Sequence, residues 1–94
     1  MMYLCPVCGR SYRSLVSLKY HFRRIHLPNF NRCPICGKRL RDPIRLPHHC
    51  FMALREGYDE EHMIYYYLSS GCSTVNNRAR LSEARRVAAQ ALRR

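Results

Sequence analysis

Toward the end of the chain the apolar positions fall into a helical rhythm. Leu81, Ala84, Val87, Ala88, Ala91 and Leu92 recur at the spacing of one helix face, which predicts a helix over about 74–92. Arg78, Arg80, Arg85, Arg86, Arg93 and Arg94 lie mostly off that stripe. A shorter apolar face, Met63, Ile64, Tyr67 and Leu68, follows Asp59-Glu60-Glu61, an N-cap with first-turn acids that suit the positive end of a helix. Ser69-Ser70-Gly71 separates the two helices. Upstream, Pro47 fits the first position of a helix and Gly57 its end, which predicts a helix over about 47–56. The earlier apolar positions are sparse and repeat in register: Tyr12-x5-Leu18, then Leu40-x5-Leu46.

At 94 residues the chain is about one domain long, a size at which an apolar core alone is marginal and a metal or disulfide staple is usual. Six cysteines and five histidines supply the means. Lys and Arg number 17 against 6 Asp and Glu, and the net charge of +11 favours a polyanionic partner. The excess is uneven. Residues 1–55 hold one acid, Asp42, among many cations; residues 56–71 hold Glu56, Asp59, Glu60 and Glu61 and no Lys or Arg; residues 72–94 are arginine-rich with one acid, Glu83. Two basic regions thus flank an acidic stretch expected to act as a hinge. Met1–Leu4 is too short for the apolar part of a secretion signal, and no apolar run approaches the roughly 20 residues of a membrane span. The expected setting is reducing and intracellular, cytoplasmic in a prokaryote or nuclear in a eukaryote, with the paired cysteines on zinc rather than in disulfides.

The strongest chemical signal is Tyr3-x-Cys5-x2-Cys8-x3-Tyr12-x5-Leu18-x2-His21-x4-His26. Cys5-Pro6-Val7-Cys8-Gly9 is a knuckle that turns two thiolates toward one point, and Gly9 eases the backbone turn. His21 and His26 lie about one helical turn apart, and the gap between them calls for a loosened last turn before Pro28 stops the helix. Two thiolates and two imidazoles make a tetrahedral set suited to zinc. So short a segment buries too little surface to fold alone, and zinc binding of roughly 10–16 kcal/mol supplies the missing stability. Tyr3, Tyr12 and Leu18 would form the apolar cluster under the metal.

At all these positions the segment resembles the Cys2His2 zinc finger family. The resemblance implies a β-hairpin followed by a helix, zinc on Cys5, Cys8, His21 and His26, and a helix that enters the DNA major groove. The base-reading positions it implies are Ser14, Ser17 and Tyr20. None offers the bidentate contacts that discriminate strongly between bases. Arg13, Lys19, Arg23 and Arg24 suit phosphates. The alternative is a finger that serves only folding or protein binding.

Cys33-Pro34-Ile35-Cys36-Gly37-Lys38 repeats Cys5-Pro6-Val7-Cys8-Gly9-Arg10, and the register continues through Leu40, Leu46 and His49. This reads as a second, degenerate finger. No histidine follows His49 by three to five residues, and Pro47 forbids an unbroken helix from Asp42 to His49. The fourth ligand stays open. His62, early in the next helix, reaches His49 if the two helices run antiparallel, and is preferred. Cys50 is nearer in sequence but points about 100° away from His49 on a helix. His48 with Cys50, from a loop, is a third arrangement, and a broken finger whose cysteines bind nothing is a fourth.

The expected fold is a small metal-stabilised α+β protein. It comprises a ββα zinc finger (residues 1–28), a degenerate second zinc finger (29–58) and a basic segment forming a C-terminal helical hairpin (59–94), with two Zn2+ ions. Leu68–Val75 also resembles the turn of a helix-turn-helix, which would bring Ser73–Arg80, with Arg78 and Arg80, to nucleic acid. The plainer expectation is a hairpin packed on the second zinc site with its arginines in solvent. Tyr65–Tyr67 suggest base stacking, yet Tyr67 belongs in the core and the others cover the finger. Cys72 reads as a small apolar residue. Nothing points to catalysis, because zinc on four protein ligands leaves no position for water.

The expected function is zinc-dependent nucleic-acid binding, as a DNA-binding transcriptional regulator of the kind the resemblance implies; two-finger proteins of about this size also occur in archaea and their viruses. The alternatives are an RNA-binding structural component, such as a small basic ribosomal or ribosome-associated protein in a larger nucleoprotein assembly, and a zinc-built protein-interaction adaptor. No membrane partner is expected.

Overall fold

Two short strands, β1 (Tyr3–Leu4) and β2 (Ser11–Tyr12), pair antiparallel, with Tyr3 opposite Tyr12 and Leu4 opposite Ser11. The computed structural model that gives this arrangement describes residues 2–57, 59–70 and 78–93, and of 78–80 the backbone alone. In the knuckle between the strands, Cys5 N donates to Arg10 O at 2.8 Å and Gly9 N to Cys5 O at 2.9 Å. Gly9 has φ 80°, a left-handed conformation that residues with a Cβ adopt only at a cost. The helix α1 (Leu15–His21) starts at Ser14, whose hydroxyl accepts from Ser17 N and so satisfies one of the free amides of the first turn. Leu15, Leu18 and Phe22 share one face at helical spacing, and all three are buried.

After His21 the helix widens. Phe22–His26 form a π-helical turn, with Leu27 N donating to Phe22 O. Residues five apart on an α-helix point about 140° apart. The i→i+5 bonding of a π turn narrows that offset and brings His26 to the side of His21. A 3-10 turn, Leu27–Asn29, then ends the helix at Pro28, and Asn29 Nδ2 donates to Ile25 O at 2.8 Å.

The second knuckle has the same bonds: Cys33 N to Lys38 O at 2.8 Å and Gly37 N to Cys33 O at 2.9 Å, with Gly37 at φ 77°. Its flanks make a single bridge, Arg32 opposite Arg39, in place of a two-residue ladder. Asp42 stands where Ser14 stands in the first unit and accepts from Ile44 N at 3.1 Å. A 3-10 turn, Pro43–Arg45, then leads into α2 (Leu46–Glu56), whose first turn contains Pro47 and whose end is capped by Gly57. Pro47 lies where a helix has no use for an N–H, which is why the helix tolerates it.

The helix α3 (Glu60–Ser69) is capped by Asp59 Oδ1, which accepts from Glu61 N at 2.9 Å and His62 N at 3.3 Å. At its other end the Ser69 and Ser70 hydroxyls donate to the carbonyls of Tyr65 and Tyr66. The sequence predicts one apolar face for this helix and a hinge at its acidic start; the structure differs on both points. His62, Met63, Ile64, Tyr66, Tyr67, Leu68 and Ser69 are all buried, because α3 packs against α2, against α4 (Arg78–Leu92) and against α1 with its π turn. The first turn, Glu60 and Glu61, faces water, and Tyr65 is half-buried.

One apolar cluster extends from Cys5 to Leu92. Phe22 joins the finger to α3: it is fully buried, with the Phe30 and Tyr65 rings each 5.7 Å away. Ala84, Ala88 and Leu92 bury the stripe of α4, while Arg85, Arg86 and Arg93 are exposed. Beyond α4, Arg93 bridges to Tyr3 of β1. A ββα unit, a second Cys/His site and packed helices make this a small α+β fold. The expected turn with Cys72, the residues 73–77 of the helix-turn-helix reading and the start of the 74–92 helix lie outside the described residues. No described helix is long and apolar enough to cross a membrane.

Candidate metal centres and nucleic-acid face

The hairpin and α1 bring four donors together. Cys5 and Cys8 Sγ come from the knuckle, His21 Nε2 from α1 and His26 Nε2 from the π turn, and all four lie within 4.8 Å of one another. Cys8 Sγ is 3.3 Å from His21 Nε2, and the two imidazole nitrogens are 3.1 Å apart. Zinc bonds of about 2.0–2.3 Å in a tetrahedron imply donor–donor edges of roughly 3.3–3.8 Å. These two separations lie within about 0.2 Å of that range, so the cluster is of a size to hold a zinc ion. The Tyr12 ring packs 5.1 Å from that of His21 and holds its orientation. Burial pushes the Cys5 thiol up from its ordinary value, and the neighbouring Cys8 adds to this, against the amides of Cys8 and Val7. A bound zinc would reverse that balance, since a coordinating thiol loses its proton. His21 is held below its ordinary value by desolvation and then by His26 and Arg10, a direction that favours the neutral, ligating ring.

Residues 3–26 match the family model for a zinc finger of the C2H2 type. Neither the curated proteins nor the solved structures gave a significant match. The rest of the molecule is therefore read from its own residues. Beside the finger stands a second set of donors, Cys33, Cys36, His49 and His62, also within 4.8 Å of one another. Cys36 Sγ lies 3.3 Å from His49 Nε2, the same separation as Cys8 from His21, and Cys33 Sγ lies 3.8 Å from His62 Nε2. The set is soft, mixed S/N and of tetrahedral size, so it could hold a second zinc ion. Of the candidates for the fourth position, the structure brings in His62. Cys50 is fully buried but not among the four, and His48 is exposed. Burial pushes the Cys50 thiol far above its ordinary value, with the nearby Cys33 and Cys36 adding to the effect.

By sequence Asp59 is a helix cap. In the structure its Oδ2 also lies 3.1 Å from His62 Nδ1, a close contact too bent to count as a full hydrogen bond, and that nitrogen is otherwise buried without a partner. Partial burial pushes the Asp59 carboxyl up, but the His62 ring and the amides of His62 and Glu61 outweigh it and hold the group below its ordinary value. A carboxylate behind a ligating histidine fixes its tautomer and ring orientation. The spacing Asp59-x2-His62 at a helix start was the available signal. His49 is lowered by desolvation, then by His62, Lys38 and His48.

The proposed nucleic-acid contacts separate into groups. Ser14 and Ser17 are exposed but bonded to each other: Ser14 Oγ donates to Ser17 Oγ at 3.0 Å while accepting from Ser17 N at 3.1 Å. Tyr20 is 61% exposed. Arg13 and Arg24 are exposed, as is Arg10, and none of the three has a carboxylate partner among the described residues. Lys19 is half-buried with its Nζ 4.4 Å from the centre of the Tyr67 ring, and Arg23 is half-buried too. Arg78 and Arg80 open α4, but their side chains are outside the described residues. Tyr66 and Tyr67 are buried and Tyr65 packs on Phe22, so these rings belong to the core rather than to a stacking surface. By register from Cys36, Asp42, Arg45 and His48 stand where Ser14, Ser17 and Tyr20 stand from Cys8, and all three are exposed.

Proposed function

We propose that the protein is a zinc-dependent nucleic-acid-binding module that grips the phosphate backbone. One zinc on Cys5, Cys8, His21 and His26 holds the finger. A second on Cys33, Cys36, His49 and His62 ties α3 to the second knuckle. Both ions have four protein ligands and serve as scaffold, not as catalyst. The observation that carries this reading is the exposed trio Arg10, Arg13 and Arg24, without carboxylate partners among the described residues, on a segment that contains no acid before Asp42. Such side chains neutralise phosphates and release counterions, which gives affinity without sequence information.

Two versions of the reading differ in their target. The family match and Arg45, which carries a bidentate fork in a base-reading register, support a DNA-binding transcriptional regulator. The mutual bonding of Ser14 and Ser17 favours an RNA-binding component, because two of the three reading positions of α1 are occupied with capping their own helix. Titration of the zinc-loaded protein against duplex DNA and RNA over a range of salt tests both. Binding should weaken with salt at a slope of about −0.9 per phosphate contact on duplex DNA. The double substitution Arg13→Ala, Arg24→Ala should reduce that slope by about 2 and weaken all sequences evenly. Salt-independent binding would overturn the proposal. A sequence preference lost in Arg45→Ala would identify the regulator, and the absence of any duplex preference the RNA component.

A further inference from the structure

None of the candidate zinc ligands lines the cleft between α1 and α4. Its floor is Tyr67 of α3, with Lys19 Nζ set 4.4 Å above that ring. Val16 and Tyr20 form one rim and Leu81 and Ser82 the other. Arg23 and Arg85 face the cleft from opposite sides. Arg23 Nε is buried and finds no hydrogen-bond partner among the described residues, so the fold brings a donor here without satisfying it. Val16 and Tyr20, 46% and 61% exposed, are large apolar groups left at the edge.

The volume, about 270 Å³, lies just below the range of roughly 300–1,000 Å³ typical of ligand pockets. It suits one flat heteroaromatic ring. Apolar walls accept the faces of such a ring, the Tyr20 ring can stack on it, and two guanidinium groups at the mouth match a phosphate. A base held inside a duplex cannot enter, and extruding one is costly. RNA loops and bulges present bases already unstacked. Resting on the nucleic-acid-binding reading above, we infer that this cleft receives one unpaired nucleotide of an RNA strand, base against Tyr20 and Leu81, phosphate on Arg23 and Arg85. The net charge of +11 favours this occupant over an acidic peptide with an apolar anchor, because the phosphate backbone also engages the cations outside the cleft.

The test compares zinc-loaded full-length protein on an RNA hairpin with one bulged nucleotide and on the fully paired hairpin. The bulge should bind about 5- to 160-fold tighter, the range one stacked base commands. Ser82 is exposed, so Ser82→Trp fills the cleft from its rim; it should abolish the preference while leaving paired RNA and zinc content unchanged. Where the tryptophan disturbs folding, Arg85→Glu, also at an exposed position, should likewise abolish the preference with zinc content unchanged, while the reversed charge weakens paired RNA as well. A fluorescent 2-aminopurine at the bulge should be quenched by the natural chain and not by the variants. The inference is overturned if paired RNA binds and the bulge adds nothing, or if the preference survives both substitutions. It is also overturned if Ser82→Trp blocks an acidic peptide with an apolar anchor while RNA binding is unmoved. If neither RNA binds, the inference falls, and titration of the same protein against duplex DNA decides whether the broader reading stands without it.

Discussion

Replacing Phe22 with alanine asks whether the first finger is an independent bead or part of a shared core. The side chain is fully buried between the finger and α3, with the rings of Phe30 and Tyr65 at 5.7 Å and that of His26 at 6.0 Å. Truncating a buried phenylalanine costs about 3–5 kcal/mol, from lost burial and the cavity left behind. In a chain of this length each kcal/mol moves the melting midpoint by roughly 4–8 °C, so Phe22→Ala should lower it by at least about 12 °C. The loss should be felt on both sides of the seam. Denaturation of the zinc-loaded protein, followed by amide resonances of α1 and of α3, checks this. One midpoint should serve both helices in the natural chain, and one lower midpoint in the variant. A loss below about 1 kcal/mol, or finger signals that melt while those of α3 stay put, would refute the shared core.

Three further outcomes are expected. His62→Ala should leave the second zinc labile, so that after a chelator wash the protein carries one ion by native mass spectrometry; two ions retained through that wash would remove His62 from the second centre. Asp59→Asn keeps a capping oxygen but loses the carboxylate beside His62, so chelator competition should show the second zinc bound about 10–100-fold more weakly and the first unchanged. His21 and His49, lowered by desolvation from an ordinary 6.5, take up protons in the unfolded chain before they do so in the folded one. Their contribution is thus present above about pH 6.5 and lost as pH falls from there toward the folded values; zinc release in an acid titration should begin in that window, and loss of zinc on raising the pH from 7 to 8 would contradict it.

The first finger was legible because its local chemistry is dense: two cysteines, two histidines and a glycine at fixed offsets decide it without any distant partner. The wide His21–His26 gap called for a loosened turn, and the π turn at Phe22–His26 has that form. Proline and glycine marked the limits of α2, and Asp59 the start of α3. What could not be read was the environment of α3. A helix with one apolar face on paper is buried nearly all round, because three partners reach it from distant parts of the chain. Phe22 escaped notice for the same reason, though its spacing from Leu15 and Leu18 was helical. Lys19 reads as a phosphate contact in sequence, and only the position of Tyr67 turns it inward. The bond between Ser14 and Ser17, two positions that the resemblance assigns to base reading, was likewise invisible in the sequence.

The placement of His62 on α3, far along the chain from Cys33, has a consequence for how the molecule is made. A nascent polypeptide can complete its first metal cage once His26 has left the ribosome. The second cage has three corners from Cys33, Cys36 and His49, and stays open until α3 has been synthesised. Zinc captured early there would keep a water in the vacant corner and remain exchangeable with cellular thiols. Loading would then run from the amino end, and translation stalled before residue 62 would release a fragment whose second ion is the more labile of the two.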